Sequence, residues 1–388
     1  MSSPNDVSTL VVSASGHVKQ RDLDTALETA LRRASREQLV DVEDAVVRFD
    51  FTEADWFDLS ALLWLVPVLS RLRRQANVLE LRLPQRPLND ASLQRVSAAD
   101  RTRLNAAENL WSALQRWEFF DALRRCVDDP VNLLLPDQHA ALRKESRYSR
   151  AERVDGKGEL REVSTGRLLE LLLVDLASNE VGMIDEAVAR YNTELVRNNL
   201  RYHTRWAERE IDDFTTITVP HAIRNLSHAR GTFALVASRA DAKYLHFCVS
   251  DNGIGIPKLL REALQDQVRA GQGDSALIEY FAGKELLEET LRDLLDVGPS
   301  DSEFVVASTA DRVTSDTKRK GFGLYYLKEL VLAKGGELRI RSGSAMVTFD
   351  GTRKRKPREP QRDEPLIESP GTSVRILLPR QEGRQGGR

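Results

Sequence analysis

An acid followed by two glycines stands after an apolar run in the second half of the chain, as Asp251, Gly253 and Gly255. The run 244–249 has the composition of a buried strand, so Asp251 is predicted at the end of a strand. A carboxylate in that position can accept hydrogen bonds from an exocyclic amine. Because glycine has no side chain, Gly253 and Gly255 would let a flat ring approach the main chain. The stretch therefore predicts a site for a heterocyclic base.

A second glycine pair, Gly321 and Gly323, precedes a periodic helix predicted from Leu324 to Ala333. The free N–H groups at the start of a helix suit a polyphosphate. Lys320 adjoins this pair and is either a phosphate contact or part of a solvated basic run. One loop thus fits a base and the other its phosphates.

These boxes resemble those of the GHKL ATPases, the superfamily of gyrase and histidine-kinase type. The residues 251–255 look like its D-x-G-x-G adenine box, and Gly321, Gly323 and Leu324 look like its G-x-G-L lid box. Gly371 with Thr372, before an apolar run, looks like its final G-T strand. The resemblance implies a Bergerat-type α/β sandwich with a mixed sheet.

The same resemblance implies a role for each matching residue, with ATP and Mg²⁺ as cofactors. Asp251 would bind the adenine amine, and the two glycines after it would admit the base. Lys320, Gly321 and Gly323 would receive phosphate, while Thr372 would support the adenine side. The segment 259–320 between the two boxes is placed where such proteins carry an ATP lid; the alternative is a pair of helices without a role in nucleotide binding.

The superfamily also has a helix with Glu and Asn four positions apart, and two stretches are candidates for it. Asn225 is preceded by His221, and it is favoured because the connection to the strand of Asp251 is shortest. Hydrolysis would then be slow, since no Glu base is present, and ATP would act as a switch. Glu194 with Asn198 has the expected residue types and would complete an ordinary ATPase site.

The first hundred residues alternate between strand and helix patterns, which predicts an α/β unit. This part resembles a STAS-type domain, the fold of anti-sigma-factor antagonists, around the residues 49–62. Regulated members carry a phosphorylatable serine directly after the Asp, whereas this chain has Leu59 there. Ser60 is interpreted as a helix cap or first-turn residue. The STAS-like domain is therefore predicted to dock a protein partner.

The predicted strands are 9–13, 45–51 and 79–83, and the predicted helices are 22–36 and 58–74.

Composition limits the classes of function that fit the chain. Among 388 residues, 57 Lys and Arg nearly balance 59 Asp and Glu, so no net field favours nucleic acid or a membrane surface. Cys126 and Cys248 lack metal-type spacing and are interpreted as core thiols. The start of the chain is polar, and no run reaches the roughly 20 apolar residues of a membrane span. A soluble, cytoplasmic protein is expected.

The domain organisation predicted from these patterns has four parts. They are a STAS-like domain (1–100), a helical connector (101–165), a GHKL ATPase-like domain (166–380) and a disordered tail (381–388). Three further predictions concern regular elements: helices at 168–175 and 186–205, a hairpin of 232–239 with 244–251, and a strand at 337–342. The remaining three are an aromatic stripe in the core at 110–120, an exposed loop at 144–157 and a mobile excursion at 353–368.

Three classes of function remain open from the sequence. The first is a regulatory protein, monomeric or homodimeric, in which binding or slow hydrolysis of ATP orders the lid and switches a partner interaction. The second is a serine/threonine kinase of the anti-sigma type. The third is a scaffold that binds no nucleotide.

Overall fold

The computed structural model describes ten stretches of the chain. They are residues 9–88, 96–144, 172–175, 196–215, 230–271, 275–282, 298–314, 323–351, 360–363 and 366–380. The chain forms two compact units, Met1–Leu173 and Val174–Arg388. Parallel strands in the first unit and antiparallel strands in the second, both combined with helices, confirm the mixed α/β class.

The described part of the first unit alternates strands with helices in its first 82 residues. Its strands are β1 (Thr9–Ser13), β2 (Gly16–Val18), β3 (Val46–Asp50), β4 (Ala54–Phe57) and β5 (Val78–Arg82). Its helices are α1 (Gln20–Arg33), α2 (Leu59–Arg74), α3 (Ala98–Arg116), α4 (Phe119–Cys126), α5 (Pro130–Leu133) and α6 (His139–Arg143), with 3-10 turns at Leu39–Asp41 and Pro136–Gln138. The parallel order β1-β3-β5 and a separate parallel pair β2-β4 make up its sheets.

Apolar side chains alternate with polar or exposed ones along the strands of the parallel sheet, so that one face of the sheet is buried. In each strand every second side chain is buried, as for Val47 and Phe49 in β3 and for Leu79 and Leu81 in β5. Helix α2 begins directly after Asp58, and Ser60 lies buried in its first turn. The first-turn interpretation of Ser60 is therefore confirmed.

The aromatic stripe is part of the core of the first unit. Trp111, Trp117 and Phe119 are buried, and the Trp111 indole N–H donates to the Pro84 carbonyl at 2.9 Å. Helix α3 contacts β4, α4 contacts α2, and α5 contacts β5. The described helices of the segment 101–144, predicted as part of a connector, thus pack within the first unit.

A buried ion pair ties α3 to the chain after β5. Arg86 donates two hydrogen bonds to the Glu108 carboxylate, each of 3.0 Å, and both side chains are fully buried. Burial by itself raises the pKa of Glu108, but Arg86 and Lys144 outweigh burial and hold the pKa at about 2. The Arg86 charge is therefore neutralised inside the unit.

The second unit contains a seven-stranded sheet. Its strands are β6 (Leu172–Asp175), β7 (Phe233–Ala240), β8 (Tyr244–Asp251), β9 (Glu337–Gly343), β10 (Ala345–Asp350), β11 (Gln361–Asp363) and β12 (Ser369–Pro379). Its described helices are α7 (Arg197–His203), α8 (Glu208–Asp213), α9 (Ile256–Arg269), α10 (Ala276–Ala282), α11 (Asp301–Ala307) and α12 (Gly323–Ala333). The strand order is β11-β10-β9-β12-β8-β7-β6, and each pairing from β11 to β7 is antiparallel.

Two predictions in this unit are wrong where the structure describes the residues. Leu172–Asp175 is a strand and not part of a helix. The prediction failed because a short apolar run has no periodicity that distinguishes a strand from a helix. The excursion 353–368 contains β11, which pairs with β10 at the sheet edge. The hairpin β7–β8, the strand β9 and the closing strand β12 are confirmed to within about two residues.

One face of this sheet carries apolar rows that run across the strands. Val249, Val374 and Ile340 form one such row in β8, β12 and β9. Helices lie on this face: the Phe214 ring at the end of α8 contacts the Phe247 ring at 6.1 Å. The Lys328 ammonium of α12 lies 5.8 Å from the Phe349 ring centroid, also on this face. The sheet and these helices therefore form two layers.

Candidate functional site

Three polar residues continue the apolar rows at the end of the helix-covered face. Thr372 is paired with Ser342, and the β8–β12 register places it beside Asp251. We call Asp251, Thr372 and Ser342 the polar row; none is more than 3% exposed. Buried polar side chains need hydrogen-bond partners, because their loss of water is costly.

Most of the polar row is satisfied by local hydrogen bonds. The Ser342 and Thr372 hydroxyl oxygens lie 2.9 Å apart, and the Ile256 N–H donates to Ser342 Oγ at 2.8 Å. The Gly253 N–H donates to Asp251 Oδ1 at 2.6 Å. The row thus joins three strands to the first residue of α9.

Asp251 Oδ2 is the exception within the polar row. This oxygen is buried and has no hydrogen-bond partner within the described stretches. Burial raises the pKa of Asp251 to about 7, although the Gly253 and Thr372 N–H groups lower it. Asp251 Oδ1 thus accepts from Gly253, whereas Oδ2 is a buried acceptor atom without a donor among the described residues.

Glycines around the polar row are required by packing. Gly371 has a φ of +109°, and a Cβ there would lie 2.1 Å from the Asp251 carbonyl oxygen. Gly255 has a φ of +81°, and its Cβ would lie 3.0 Å from Ser342 Oγ. From the sequence, Gly255 was predicted to leave room for a ligand. In the structure, a side chain at this position would also collide with Ser342 of the polar row.

Asn252 holds the loop between Asp251 and Gly253 in place. Its Oδ1 accepts from the N–H groups of Thr232 at 2.9 Å and Phe233 at 3.1 Å. Its Nδ2 donates to the Thr232 hydroxyl at 2.9 Å. Asn252 therefore fastens the loop to the start of β7, a role that the sequence analysis did not assign.

The sequence analysis also missed Ser342. Leu338, Ile340 and Ser342 alternate along β9, so Ser342 must face the same side as the two apolar residues. A hydroxyl at the end of an apolar alternation was the signal that could have identified it.

The structure brings together four of the predicted site residues, Asp251, Gly253, Gly255 and Thr372. Gly323 and Leu324 are the first residues of α12, and both are partly exposed. This helix buries Leu327 and Val331 and contacts β9, β10 and β12. The remaining candidates fall outside the described residues or side chains: they are Lys320, Gly321, Asn225, His221, Glu194 and the side chain of Asn198.

The other titratable candidates are packed residues. His203 is buried, and burial lowers its pKa to about 4. His246 Nε2 lies 2.6 Å from an Asp241 carboxylate oxygen. Cys248 is buried in β8, and Cys126 is half-buried at the end of α4. Within the described stretches, no group of three or more His, Cys, Asp or Glu could hold a metal ion.

Replacing Ser342 by alanine is expected to destabilise the second unit by about 1 to 2 kcal/mol, because it leaves the Ile256 N–H and the Thr372 hydroxyl without their partner. Urea denaturation of the full chain measures this loss. Ser308→Ala is the control, since among the described residues Ser308 Oγ donates only to the Val305 carbonyl in its own turn, at 2.7 Å. Equal losses in the two variants would contradict a special role for Ser342.

Helices of the described stretches are all too short or too polar to cross a membrane. A scan against protein-family models and a search of curated proteins both found no match. The function is therefore inferred from the polar row and from the resemblance in the sequence.

Proposed function

We propose that the second unit binds Mg²⁺-ATP as a GHKL-type module. Nucleotide binding, with or without slow hydrolysis, would switch the interaction with a protein partner. The observation that carries this proposal is Asp251 Oδ2, a buried carboxylate oxygen for which no residue that the structure describes supplies a hydrogen-bond donor. Such groups are rare in folded proteins and call for an explanation.

An adenine amine would supply the donor that Asp251 lacks. A carboxylate is acceptor-only when ionised, so it favours an amino substituent on a purine over a carbonyl oxygen. Thr372 and Ser342 complete a row of hydroxyls beside the carboxylate. At position C6 of the purine this arrangement supports a preference for adenine, which has an amino group there, over guanine, which has a carbonyl oxygen there.

The phosphate and metal side of the proposal rests on the resemblance. Gly323 and Leu324 begin α12, and N–H groups at the start of a helix favour anions. Lys320 and Gly321 precede them in the chain. Asn225, or Asn198 in the alternative, would hold Mg²⁺; when bound, Mg²⁺-ATP supplies a phosphoanhydride bond with its charge partly neutralised.

The proposed lid segment contains helices that pack on one another. Leu264 of α9, Leu277 of α10 and Phe304 of α11 share one hydrophobic cluster. Arg261 of α9 donates to Asp301 Oδ1 of α11 at 2.8 Å. A switch in this segment would therefore move the three helices together.

The first unit is proposed as the platform for the protein partner. Neither candidate position at the start of α2 offers a phosphate acceptor: Leu59 has no hydroxyl, and Ser60 is only 1% exposed. A switch by binding is therefore favoured over phosphate transfer within the chain.

Calorimetry with Mg²⁺-ATP tests the proposal on the full chain. The wild type is expected to bind, and Asp251→Asn should bind about 30-fold more weakly, since it loses a hydrogen bond to a charged group. Mg²⁺-GTP should bind more weakly than Mg²⁺-ATP to the wild type. Asn225→Ala and Asn198→Ala identify the metal helix, because only the true ligand should lose binding.

Asp213→Asn is the matched control, since Asp213 is exposed at the end of α8. It should bind as the wild type does. If folded wild-type protein binds no nucleotide, the proposal is refuted, and the function as a scaffold that binds no nucleotide is favoured instead. Equal affinity of wild type and Asp251→Asn would refute the role of the carboxylate.

A further inference from the structure

The first unit contains a cavity of about 880 Å³ at the carboxyl ends of β3 and β5. Ligands of open α/β sheets bind outside the carboxyl ends of the strands. Pockets for small molecules commonly measure about 300 to 1,000 Å³. The lining residues that matter for the chemistry are Thr52, Arg82, Leu104, Trp111, Asp100 and Asp137.

The wall of the cavity is built by hydrogen bonds that do not involve a ligand. Gln138 accepts from the Leu83 N–H at 3.3 Å and donates to the Leu83 carbonyl at 2.5 Å. Its amide thus pairs with Leu83 as a neighbouring strand would. Trp111 is fixed by its bond to the Pro84 carbonyl. The cavity is therefore preformed.

Arginines of the cavity differ in how their charge is compensated. Arg86 is neutralised by the buried Glu108 carboxylate. Arg103 pairs with Glu53, and both side chains are well exposed. Arg82 has a buried Nε without a hydrogen-bond partner, and it forms no ion pair with any described residue. Its guanidinium is the charge that a ligand could compensate.

Local hydrogen bonds of Asp50 explain why Arg82 has no counterion in the described part of the chain. Arg48 and Glu80 are paired across β3 and β5 and form an ion pair of 2.6 Å. Asp50 and Arg82 are paired two residues further on, on the same face, yet form none. Instead, Asp50 Oδ1 accepts from the Thr52 N–H at 3.1 Å and from its hydroxyl at 2.7 Å.

The remaining lining limits the charge of the ligand. Leu88, Leu104 and Leu135 line the cavity, are at least partly exposed and offer an apolar surface for the body of the ligand. Asp100 and Asp137 are exposed and would repel a second negative charge. An arginine fork matches the two oxygens of a carboxylate.

We propose that this cavity binds a small organic monoanion, with an apolar body and one carboxylate held by Arg82. The cavity lies within the first unit, and the proposal is independent of nucleotide binding by the second. A polyphosphate is a poor fit here because of the two aspartates.

The test is a titration of the full chain with 4-phenylbutyrate, followed by the indole N–H resonance of Trp111 in a ¹⁵N-correlated NMR spectrum. Trp111→Phe assigns the resonance. We expect a saturable shift with the carboxylate, and about tenfold weaker binding of the uncharged 4-phenylbutyramide. Arg82→Gln should weaken binding of the carboxylate by a similar factor, and Arg82→Lys by less, because it keeps the charge.

Arg124→Gln is the matched control, since Arg124 is exposed on α4 and does not line the cavity. It should bind as the wild type does. Arg82→Gln should keep the wild-type unfolding midpoint, because Arg82 Nε makes no hydrogen bond to any residue that the structure describes. The proposal fails if the acid and the amide bind equally, if Arg82→Gln binds like the wild type, or if the Trp111 resonance of folded wild type does not move.

Discussion

Asp251→Asn should be more stable than the wild type at about pH 8, and this difference should vanish only as the pH falls below about 4, although the substitution removes the residue that the proposed nucleotide site needs most. Burial raises the pKa of Asp251 to about 7, against an ordinary value of 3.8. The folded state therefore keeps a proton that the unfolded state has lost between these two values.

Stability of the wild type should accordingly fall as the pH rises through this window. The unfolded state binds fewer protons there, so the free energy of unfolding decreases with pH. A shift of this size corresponds to at most about 4 kcal/mol, and asparagine removes the charge that causes the penalty. Urea denaturation of both proteins across the window measures the difference.

Other groups titrate at the edges of this window but are common to both proteins. Glu108 stabilises the fold above its unfolded pKa, and this contribution is lost as the pH falls toward about 2. The pKa of His203 is lowered to about 4, so its contribution appears as the pH rises through that value toward its usual range. Both effects cancel in the difference between wild type and Asp251→Asn. Parallel stability curves for the two proteins would contradict a raised pKa of Asp251.

Gly371→Ala is expected to be the most damaging single substitution around the polar row. An added Cβ would lie 2.1 Å from the Asp251 carbonyl oxygen and 2.7 Å from Asp251 Oδ1. The backbone at φ +109° is also unfavourable for any residue with a side chain. Strain and overpacking together should cost about 3 to 5 kcal/mol, and nucleotide binding should be lost with the geometry of Asp251.

Gly271→Ala separates the two contributions to this loss. Gly271 also has a positive φ, of +67°, but a Cβ there would meet no atom within 4 Å. It should cost about 1 kcal/mol, from backbone strain alone. Denaturation of both variants and of the wild type gives the comparison. A loss in Gly371→Ala no larger than that in Gly271→Ala would show that β12 can move away from Asp251.

Much of the fold could be predicted because the pattern was local. Strands such as β3 and β8 show alternation or continuous burial, and the helix α2 is long and apolar. The strand at Leu172–Asp175 could not be distinguished from a helix in the sequence, because four residues are too few to show a periodic pattern. The short edge strand β11 is polar, and it forms because β10 offers an open edge.

The candidate site could be predicted where an acidic residue and closely spaced glycines occur in one short stretch of sequence. Asp251, Gly253 and Gly255 are close in sequence, and Thr372 was brought in by the resemblance. Ser342 and the packing role of Gly371 depend on the register of β12 between its neighbours, which the sequence does not state. The cavity around Arg82 likewise combines three segments that are far apart in the chain.

The position of β12 has a consequence for how the protein is made. This strand is the last described element of the chain, yet it lies between β8 and β9 in the sheet. A nascent chain that has emerged from the ribosome only as far as β9 lacks both Gly371 and Thr372, and it leaves two apolar strands without their shared neighbour. The polar row can therefore form only after synthesis of the second unit is nearly complete, and until then exposed strand edges would make the chain a client for chaperones.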